Sequence, residues 1–357
     1  MSKAMGKIHY LFLINFSLVS LAMMAAGNSN VTTDQLALLA LRDRMINSEP
    51  REILAKNWSI TSSVCDWIGV TCGSRHRRVT ALNISKMNLT GTLPPQLGNL
   101  SFLVSLNISR NNFHGELPPE LVHLRRLRYL NFRTNNLSGE LPSWFGYLHK
   151  LQFLSLGNNS FSGSIPPSIS NMSKLETLCL SFNSIEGTVP TEFQNLHNLK
   201  TLVVEYNPLS GPLPLHVFNI SSLENIAFWN NNLYGILPDD ICQRLKKLTW
   251  LNLAYNNLIG RIPSTVSQCS QLRYLSLSGN HFTGPIPMGI GNLTMLEQIH
   301  LQMNNLTGLH QIHFYDRSWL SSDILLPIHA LKEHYLLKQH QLLEGEIDVC
   351  LSQKHFE

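Results

Sequence analysis

Charged residues, cysteines and long apolar runs are all scarce in this sequence. Asp, Glu, Lys and Arg make up 14% of the 357 residues and hydrophobic residues 43%, a balance that argues against a solvated, disordered chain. The net charge of +4 is too small for this length to indicate nucleic-acid binding. Six cysteines are too few for a disulfide-dense scaffold. No stretch after residue 27 is long and apolar enough to span a bilayer, which takes about 20 residues.

The first 27 residues have the pattern of a secretory signal peptide. Lys3 and Lys7 precede an apolar run over residues 11–26, which ends in the small residues Ala25, Ala26 and Gly27. An uncleaved N-terminal anchor is the alternative. The pattern predicts a secreted or cell-surface protein in an oxidising compartment, where disulfides persist.

A repeat accounts for most of the remaining chain. The template LxxLxLxxNxLxGxIP starts at residues 79, 103, 127, 151, 175, 199, 223, 248, 272 and 296, which we number as units one to ten. Position thirteen is glycine in all ten units, and position nine is asparagine in all except the first, which has Met87. This period predicts an α/β repeat fold, a right-handed leucine-rich repeat solenoid.

The template also indicates which side of the solenoid each residue faces. Positions one, four and six form a short strand whose apolar side chains fill the core, and the asparagine at position nine satisfies backbone groups at the turn. The strands of successive units are expected to form a concave parallel β-sheet. Positions two, three, five, seven and eight then line the concave face, the surface that such folds use for binding.

Residues 28–78 are predicted to form a helical N-terminal cap. Cys65 and Cys72 flank Trp67, and in an oxidising compartment two cysteines at this spacing favour a small disulfide loop over the first repeat. Free thiols are the alternative. A zinc site is disfavoured because a single cysteine pair supplies too few ligands.

The cap and first repeats resemble those of plant leucine-rich repeat receptor-like kinases, on the wording CDWIGVTC, HRRVTALNIS and LTGTLPPQLGNLSFL and on the LxGxIP form of the repeat. The resemblance covers about residues 30–308, and the wording is most similar to the branch that contains immune receptors for bacterial flagellin and elongation-factor peptides. It implies a twisted superhelical ectodomain that binds an extracellular peptide or protein ligand and recruits a co-receptor kinase ectodomain. In the family, a transmembrane helix and a serine/threonine kinase follow.

The chain departs from that family after Gly308, where the frame stops. Residues 309–357 form a divergent tail without a glycine-rich phosphate loop, an HRD triplet or a DFG triplet. The sequence therefore predicts a non-enzymatic chain with no catalytic residues, cofactor or metal site. We interpret it as a truncated or alternatively spliced ectodomain, or as an incomplete gene product.

Aromatic residues recur at the concave positions of units three to nine, and large rigid side chains outside a core suggest a recognition surface. The predicted aromatic contacts are Tyr129, Phe153, Phe182, Tyr206, Trp229, Trp250, Tyr255 and Tyr274. The predicted charged contacts are Arg128, Arg133 and Glu205. Basic residues lie toward the early units and acidic residues further along, so a peptide with its acidic end toward the early units would be complementary. The alternative is that aromatic residues simply suit strands.

Twelve N-x-S/T sequons follow residue 27. The predicted glycosylation sites are Asn57, Asn88, Asn99, Asn136, Asn171, Asn219, Asn292 and Asn305. Four of these share position twenty-one, on the convex side. At Asn83 and Asn107, on the concave side, the alternative is that the repeat wording LNIS itself creates the sequon.

Four cysteines lie outside the cap. Cys269 is expected to be a buried core thiol, with a Cys242–Cys269 bridge as the alternative. Cys179, on the concave face, and Cys350, in the tail, have no evident partner.

A second functional hypothesis is a secreted inhibitor of a cell-wall hydrolase. The polygalacturonase-inhibiting proteins also have about ten repeats of this type. They close their last repeat with paired cysteines, where this chain offers only Cys350.

Overall fold

The computed structural model describes residues 31–45, 54, 56–307 and 350. The predicted signal peptide and the predicted tail, apart from Cys350, lie outside the described residues. Residues 79–307 wind into the predicted leucine-rich repeat solenoid, with a parallel sheet along one side.

The N-terminal cap consists of helix α1 (Val31–Arg44), the 3-10 helix η1 (Val64–Asp66) and strand β1 (Val70–Cys72). The predicted Cys65–Cys72 disulfide is confirmed, with its Cα atoms 5.5 Å apart. Trp58 and Trp67, both buried, stack with ring centroids 5.5 Å apart. Two large aromatic side chains thus form the centre of the cap.

A buried ion pair joins this cap to the first repeat. Asp34, on α1, is fully buried, and its Oδ1 accepts a hydrogen bond from Arg78 Nη2 at 2.7 Å. The other carboxylate oxygen accepts from the backbone N–H of Val79 at 2.9 Å. Removing one partner of a buried ion pair costs about 3–5 kcal/mol, so the helix is firmly fixed to the start of the solenoid.

The concave side is an eleven-stranded sheet that starts with β1. Its other strands are β2 (Val79–Asn83), β4 (Ser105–Asn107), β6 (Tyr129–Asn131), β8 (Phe153–Ser155), β10 (Thr177–Cys179), β12 (Thr201–Val203), β14 (Asn225–Ala227), β16 (Trp250–Asn252), β18 (Tyr274–Ser276) and β20 (Gln298–His300). β1 pairs with β2 in antiparallel fashion, and the later strands pair in parallel, equivalent residues side by side, as Leu178 with Leu202. Counting along the template therefore places each residue on its face correctly.

Two five-stranded sheets form one flank of the solenoid. The first contains β3 (Thr90–Gly91), β5 (Asn112–Gly115), β7 (Asn136–Glu140), β9 (Ser160–Ser164) and β11 (Ser184–Glu186). The second contains β13 (Ser210–Pro212), β15 (Asn232–Ile236), β17 (Asn257–Arg261), β19 (His281–Pro285) and β21 (Asn305–Thr307). In eight of the units the glycine at position thirteen lies in these strands. Gly163 has φ +70°, and a Cβ there would be 3.0 Å from Glu140 Cγ, which explains why a side chain is excluded.

Short helices form the convex side, one for each unit from one to nine. Eight are 3-10 helices: η2 (Pro95–Asn99), η3 (Pro119–His123), η4 (Ser143–Tyr147), η5 (Pro167–Asn171), η6 (Thr191–Asn195), η7 (Val217–Asn219), η8 (Ser264–Gln268) and η9 (Met288–Asn292). Unit seven, one residue longer than the others, has the α-helical turn α2 (Ile241–Arg244) instead. The extra residue is thus absorbed on the convex side.

The core between these layers is built as the template predicts. Leu151, Leu154 and Leu156, at positions one, four and six of unit four, are fully buried. The asparagines at position nine form a ladder between units. Asn183 Nδ2 donates to the carbonyls of Leu156 and Leu180, at 3.2 and 2.9 Å, and its Oδ1 accepts from a backbone N–H of the preceding unit at 3.0 Å.

The expectation of a free, buried thiol at Cys269 is wrong. Cys242 and Cys269 form a disulfide with Cα atoms 4.8 Å apart, linking α2 to the convex side of the next unit. The two positions lie near each other because adjacent units place their convex segments side by side.

Candidate functional site

All eight predicted aromatic residues lie on the concave side, outside the apolar core of the solenoid. At position three, Tyr129 stacks on Phe153 with ring centroids 4.6 Å apart. Two positions of the same kind, Trp250 and Tyr274, stack almost parallel at 3.7 Å. In-register parallel strands lie about 4.8 Å apart, which places equivalent rings at stacking distance.

A second aromatic row follows positions seven and eight of units five to eight. Phe182 stacks on Tyr206 with centroids 4.5 Å apart, and Tyr206 meets Trp229 edge to face at 4.4 Å. Tyr255 continues the row, 6.4 Å from Trp229. The rings at positions seven and eight therefore form one continuous row, whereas those at position three form two separate stacked pairs.

These aromatic residues differ in what they offer a ligand. Four are buried by their neighbours on the face, with exposed fractions between 4% and 8%: Tyr129, Phe153, Trp229 and Tyr274. The other four are half-exposed: Phe182, Tyr206, Trp250 and Tyr255. The half-exposed rings can contact a ligand directly, whereas the buried ones hold them in place.

The predicted charge gradient is only partly present. Arg128 is exposed and Arg133 half-exposed toward the early units. Glu205 is 4% exposed, and its Oε1 accepts a hydrogen bond from Asn252 Nδ2 at 3.3 Å. Its carboxylate therefore contacts neighbouring protein groups rather than solvent.

A second acidic residue of the later units, Glu176, forms an ion pair with Lys200 of the next unit, which balances its charge. Lys200 Nζ lies 2.7 Å from a carboxylate oxygen of Glu176, and this hydrogen bond raises the pKa of Lys200. The basic early units consequently contribute more to the electrostatics of the face than the acidic later ones.

A small hollow lies at the centre of the face, in units three to six. Position five carries Asn, Ser or His in seven units but Cys179, Val203 and Ala227 in units five to seven. Gly157 and Ser181, at position seven, leave room above these residues. We call Cys179, Val203 and Ala227 the apolar strip.

Cys350 forms part of the lining of this hollow. It is bonded to Cys179, with Cα atoms 6.3 Å apart, and is 6% exposed. Together with the apolar strip it forms a hydrophobic cluster separate from the solenoid core. The expectation that Cys179 and Cys350 lack a partner is therefore wrong. An even number of cysteines in an oxidising compartment indicates that they are paired. The repeat frame, however, does not indicate which unit a cysteine of the tail contacts.

The four sequons at position twenty-one stand in a row on the convex side. Asn99, Asn171, Asn219 and Asn292 each end a 3-10 helix, and all four are exposed. Glycans attached there would point away from the concave face, which would remain accessible.

The other sequons vary in accessibility. Asn88, Asn136 and Asn305 are exposed on the flank. Asn57 is half-buried, and its Oδ1 accepts a hydrogen bond from the backbone N–H of Ile68 at 2.5 Å. Asn107 is only 4% exposed, which disfavours a glycan at that concave position.

Two kinds of feature are absent from the part of the chain that the structure describes. None of its helices is long and apolar enough to cross a membrane. Nowhere in it do three or more His, Cys, Asp or Glu side chains come together as metal ligands would.

Comparison with protein families gives matches along most of the described chain. Residues 31–73 match the leucine rich repeat N-terminal domain. Residues 102–124, 126–148, 150–172, 174–196 and 221–282 match leucine rich repeats. These segments together make up more than half of the chain.

Plant receptor kinases are among the similar proteins. A stretch of 86 residues is 42% identical to the LRR receptor-like serine/threonine-protein kinase EFR of Arabidopsis thaliana, covering 24% of this chain and 8% of EFR. The solved LRR ectodomain of the A. thaliana membrane receptor kinase GASSHO1/SCHENGEN3, in complex with CASPARIAN STRIP INTEGRITY FACTOR 2, is 35% identical. It matches with a TM-score of 0.72 over 76% of this chain and 33% of that one.

A second solved structure is the plant peptide hormone receptor RGFR1 in complex with RGF2. It is 36% identical, with a TM-score of 0.59 over 61% of this chain and 35% of that one. The chain thus spans a small part of the length of its relatives. It belongs to the leucine-rich repeat family, with the N-terminal cap and repeats of a plant receptor-like kinase ectodomain.

Proposed function

We propose that this chain is an extracellular recognition module that binds a peptide or protein ligand along its concave face. The observation that carries the proposal is the set of half-exposed rings on the concave face, Phe182, Tyr206, Trp250 and Tyr255, held by ring contacts over units five to nine. Rigid aromatic side chains bury much area at little cost in entropy, which makes them effective contacts. The similar receptors GASSHO1/SCHENGEN3 and RGFR1 were solved with bound ligands.

The geometry favours an extended ligand. The aromatic rows and Arg128 are spread over units three to nine, too far apart for one small molecule to contact together. Strands about 4.8 Å apart place these seven units, with six intervals between them, over roughly 29 Å. A peptide running across the strands, with an acidic group toward Arg128, would contact both features.

Other parts of the proposal follow from the family rather than from the face. The chain acts at the cell surface or as a secreted protein, and a co-receptor kinase ectodomain is its second partner. The described relatives are receptor kinases, which favours a receptor-type role over inhibition of a cell-wall hydrolase. The chain itself performs no catalysis in this proposal.

A binding screen tests the proposal. The full chain, secreted from eukaryotic cells, is immobilised and exposed to a library of synthetic extracellular peptides, with affinities measured by calorimetry. The expected result is a peptide whose binding is lost when Tyr206 and Trp250 are both changed to alanine. Truncation of a central aromatic contact typically costs 2 kcal/mol or more, roughly a thirtyfold loss of affinity.

The matched control is Tyr147→Ala. Tyr147 is a 57% exposed aromatic residue at the end of η4, on the convex side. Its replacement should leave the affinity unchanged. A peptide that binds the Y206A/W250A variant as tightly as the parent chain would contradict the assignment of the binding face.

A further inference from the structure

The concave hollow contains a residue of the chain's own tail. Cys350 is only 6% exposed, packs on Val203 and Ala227, and is bonded to Cys179. These contacts lie at the middle of the aromatic rows. Any ligand that follows the rows must therefore pass the point where Cys350 is attached.

The residues at position five of the concave face favour an apolar occupant in units five to seven and not in the other units. Position five is polar in units one to four and eight to ten, from Asn83 to Ser155 and from Asn252 to His300. In units five to seven it is apolar, and the Cys350 side chain covers it. Gly157 and Ser181, small residues at position seven, line the hollow beside Cys350.

The chain is long enough for this attachment. β21 ends at Thr307, in unit ten, and residues 308–349 connect it to Cys350. An extended chain covers up to about 3.3 Å per residue, whereas the way back from unit ten to unit five is about 24 Å at 4.8 Å per strand.

We infer that the apolar strip is the docking site of the chain's own Cys350, held there by the Cys179–Cys350 disulfide, and that this attachment competes with external ligands for units five to seven. Occupancy stands on the contacts above, whereas competition rests on the proposed function.

A dithiol reductant releases Cys350 from the strip. One reductant thiolate attacks a sulfur of the disulfide and forms a mixed disulfide while the other cysteine leaves as a thiolate. The second reductant thiol then displaces the first cysteine, giving two protein thiols and one oxidised reductant.

The test compares two double variants of the full chain. C179S/C350S removes this disulfide without leaving a free thiol, and C242S/C269S does the same to the disulfide on the convex side. Hydroxyl-radical labelling read by mass spectrometry reports the exposure of individual side chains. Labelling of Phe182 and Val203 should rise severalfold in C179S/C350S and stay at the parent level in C242S/C269S.

Two further measurements keep the inference open to refutation. Peptide mapping without reductant should recover Cys179 and Cys350 in one linked peptide from the parent chain. Dithiothreitol added to the parent chain should raise Phe182 labelling as the double variant does, which covers the case of a variant that fails to fold. Unlinked cysteines, or labelling that is the same with and without the disulfide, would overturn the inference.

These experiments distinguish a failure of the proposed attachment of Cys350 to the apolar strip from a failure of the proposed function. If labelling rises but neither form binds any peptide of the library, the tail occupies the strip and the recognition role is wrong. If peptides bind the parent chain and C179S/C350S equally well, the competition is wrong. Tighter binding to C179S/C350S is the result expected when both hold.

Discussion

The eleven-stranded concave sheet has two faces that share the same strands but differ in composition. The side that faces the core is here called the inner face, and the exposed concave face is called the outer face. On the inner face nearly every position is an aliphatic residue dictated by the template, and the units are interchangeable. On the outer face the residue changes from unit to unit: Ser155, Cys179, Val203, Ala227 and Asn252 succeed one another at position five. The inner face makes the fold, and the irregular outer face is where one solenoid differs from the next.

The largest expected effect comes from two adjacent residues of β12. Leu202, on the inner face, is fully buried in the solenoid core, whereas Val203, 4% exposed, belongs to the apolar strip. Leu202→Ala should lower the free energy of unfolding by about 2–5 kcal/mol, because it leaves a cavity between stacked units. Val203→Ala should cost about 1–2 kcal/mol, since only Cys350 and its strip neighbours lose contacts.

Chemical denaturation of both variants, followed by circular dichroism, measures this difference. Equal losses for the two variants would show that the outer strip is as much a part of the core as the inner face. The comparison between the faces would then break down.

Asparagine residues provide a second matched pair, with a smaller effect. Asn207 Nδ2 donates to the carbonyls of Leu180 and Glu205, and its Oδ1 accepts from the backbone N–H of Ile185 at 3.0 Å. Asn207→Ala should cost about 2–3 kcal/mol of unfolding free energy, because it leaves buried backbone groups without partners.

The control is Asn225→Ala, on the outer face. Asn225 is half-buried, and its side-chain amide exchanges hydrogen bonds with the hydroxyls of Thr201 and Thr249. Water can replace these partners, so the expected loss is about 1 kcal/mol or less. A thermal melt of the two variants side by side is sufficient. A loss at Asn225 as large as that at Asn207 would contradict the view that the ladder stabilises the turns.

Stacking on the outer face should contribute less. Trp250→Ala removes the contact with Tyr274, whose ring lies 3.7 Å away, and an aromatic pair is worth about 0.5–1.5 kcal/mol. Trp250→Phe should retain most of this. Denaturant titration distinguishes the two variants, and a loss well above 2 kcal/mol for Trp250→Ala would indicate that the ring supports the core.

The sequence predicted those features that recur with the repeat period. The ten strands, the asparagine ladder and the concave placement of all eight aromatic residues follow from counting residues along the template. The Cys65–Cys72 disulfide was also predictable, because its two cysteines lie within one short loop. In each case the information is local or is repeated at every turn.

What the sequence did not reveal depends on contacts outside the period. The Cys179–Cys350 disulfide joins residues 171 positions apart, one of them in a tail with no frame. The burial of Trp229 and Glu205 depends on which side chains the adjacent units happen to carry, and no single unit contains that information. Cys242 and Cys269 lie on adjacent units, so their proximity was accessible to counting, but the template position of Cys269 favoured a core thiol.

The smallest expected effect concerns His216, which lies on neither face of the concave sheet. It tests how burial changes the pKa of a polar side chain and thereby the pH dependence of stability. Burial lowers the pKa of His216 from its ordinary value of 6.5, and its Nε2 is buried without a hydrogen-bond partner among the described residues. Because the unfolded chain binds the proton more readily, stability should be fully present above about pH 6.5 and decrease as the pH falls below that value. His216→Gln should flatten this part of the curve of unfolding free energy against pH. If His216→Gln keeps the slope of the parent chain, the buried imidazole is not the group that titrates, and the loss of stability in acid arises elsewhere in the solenoid.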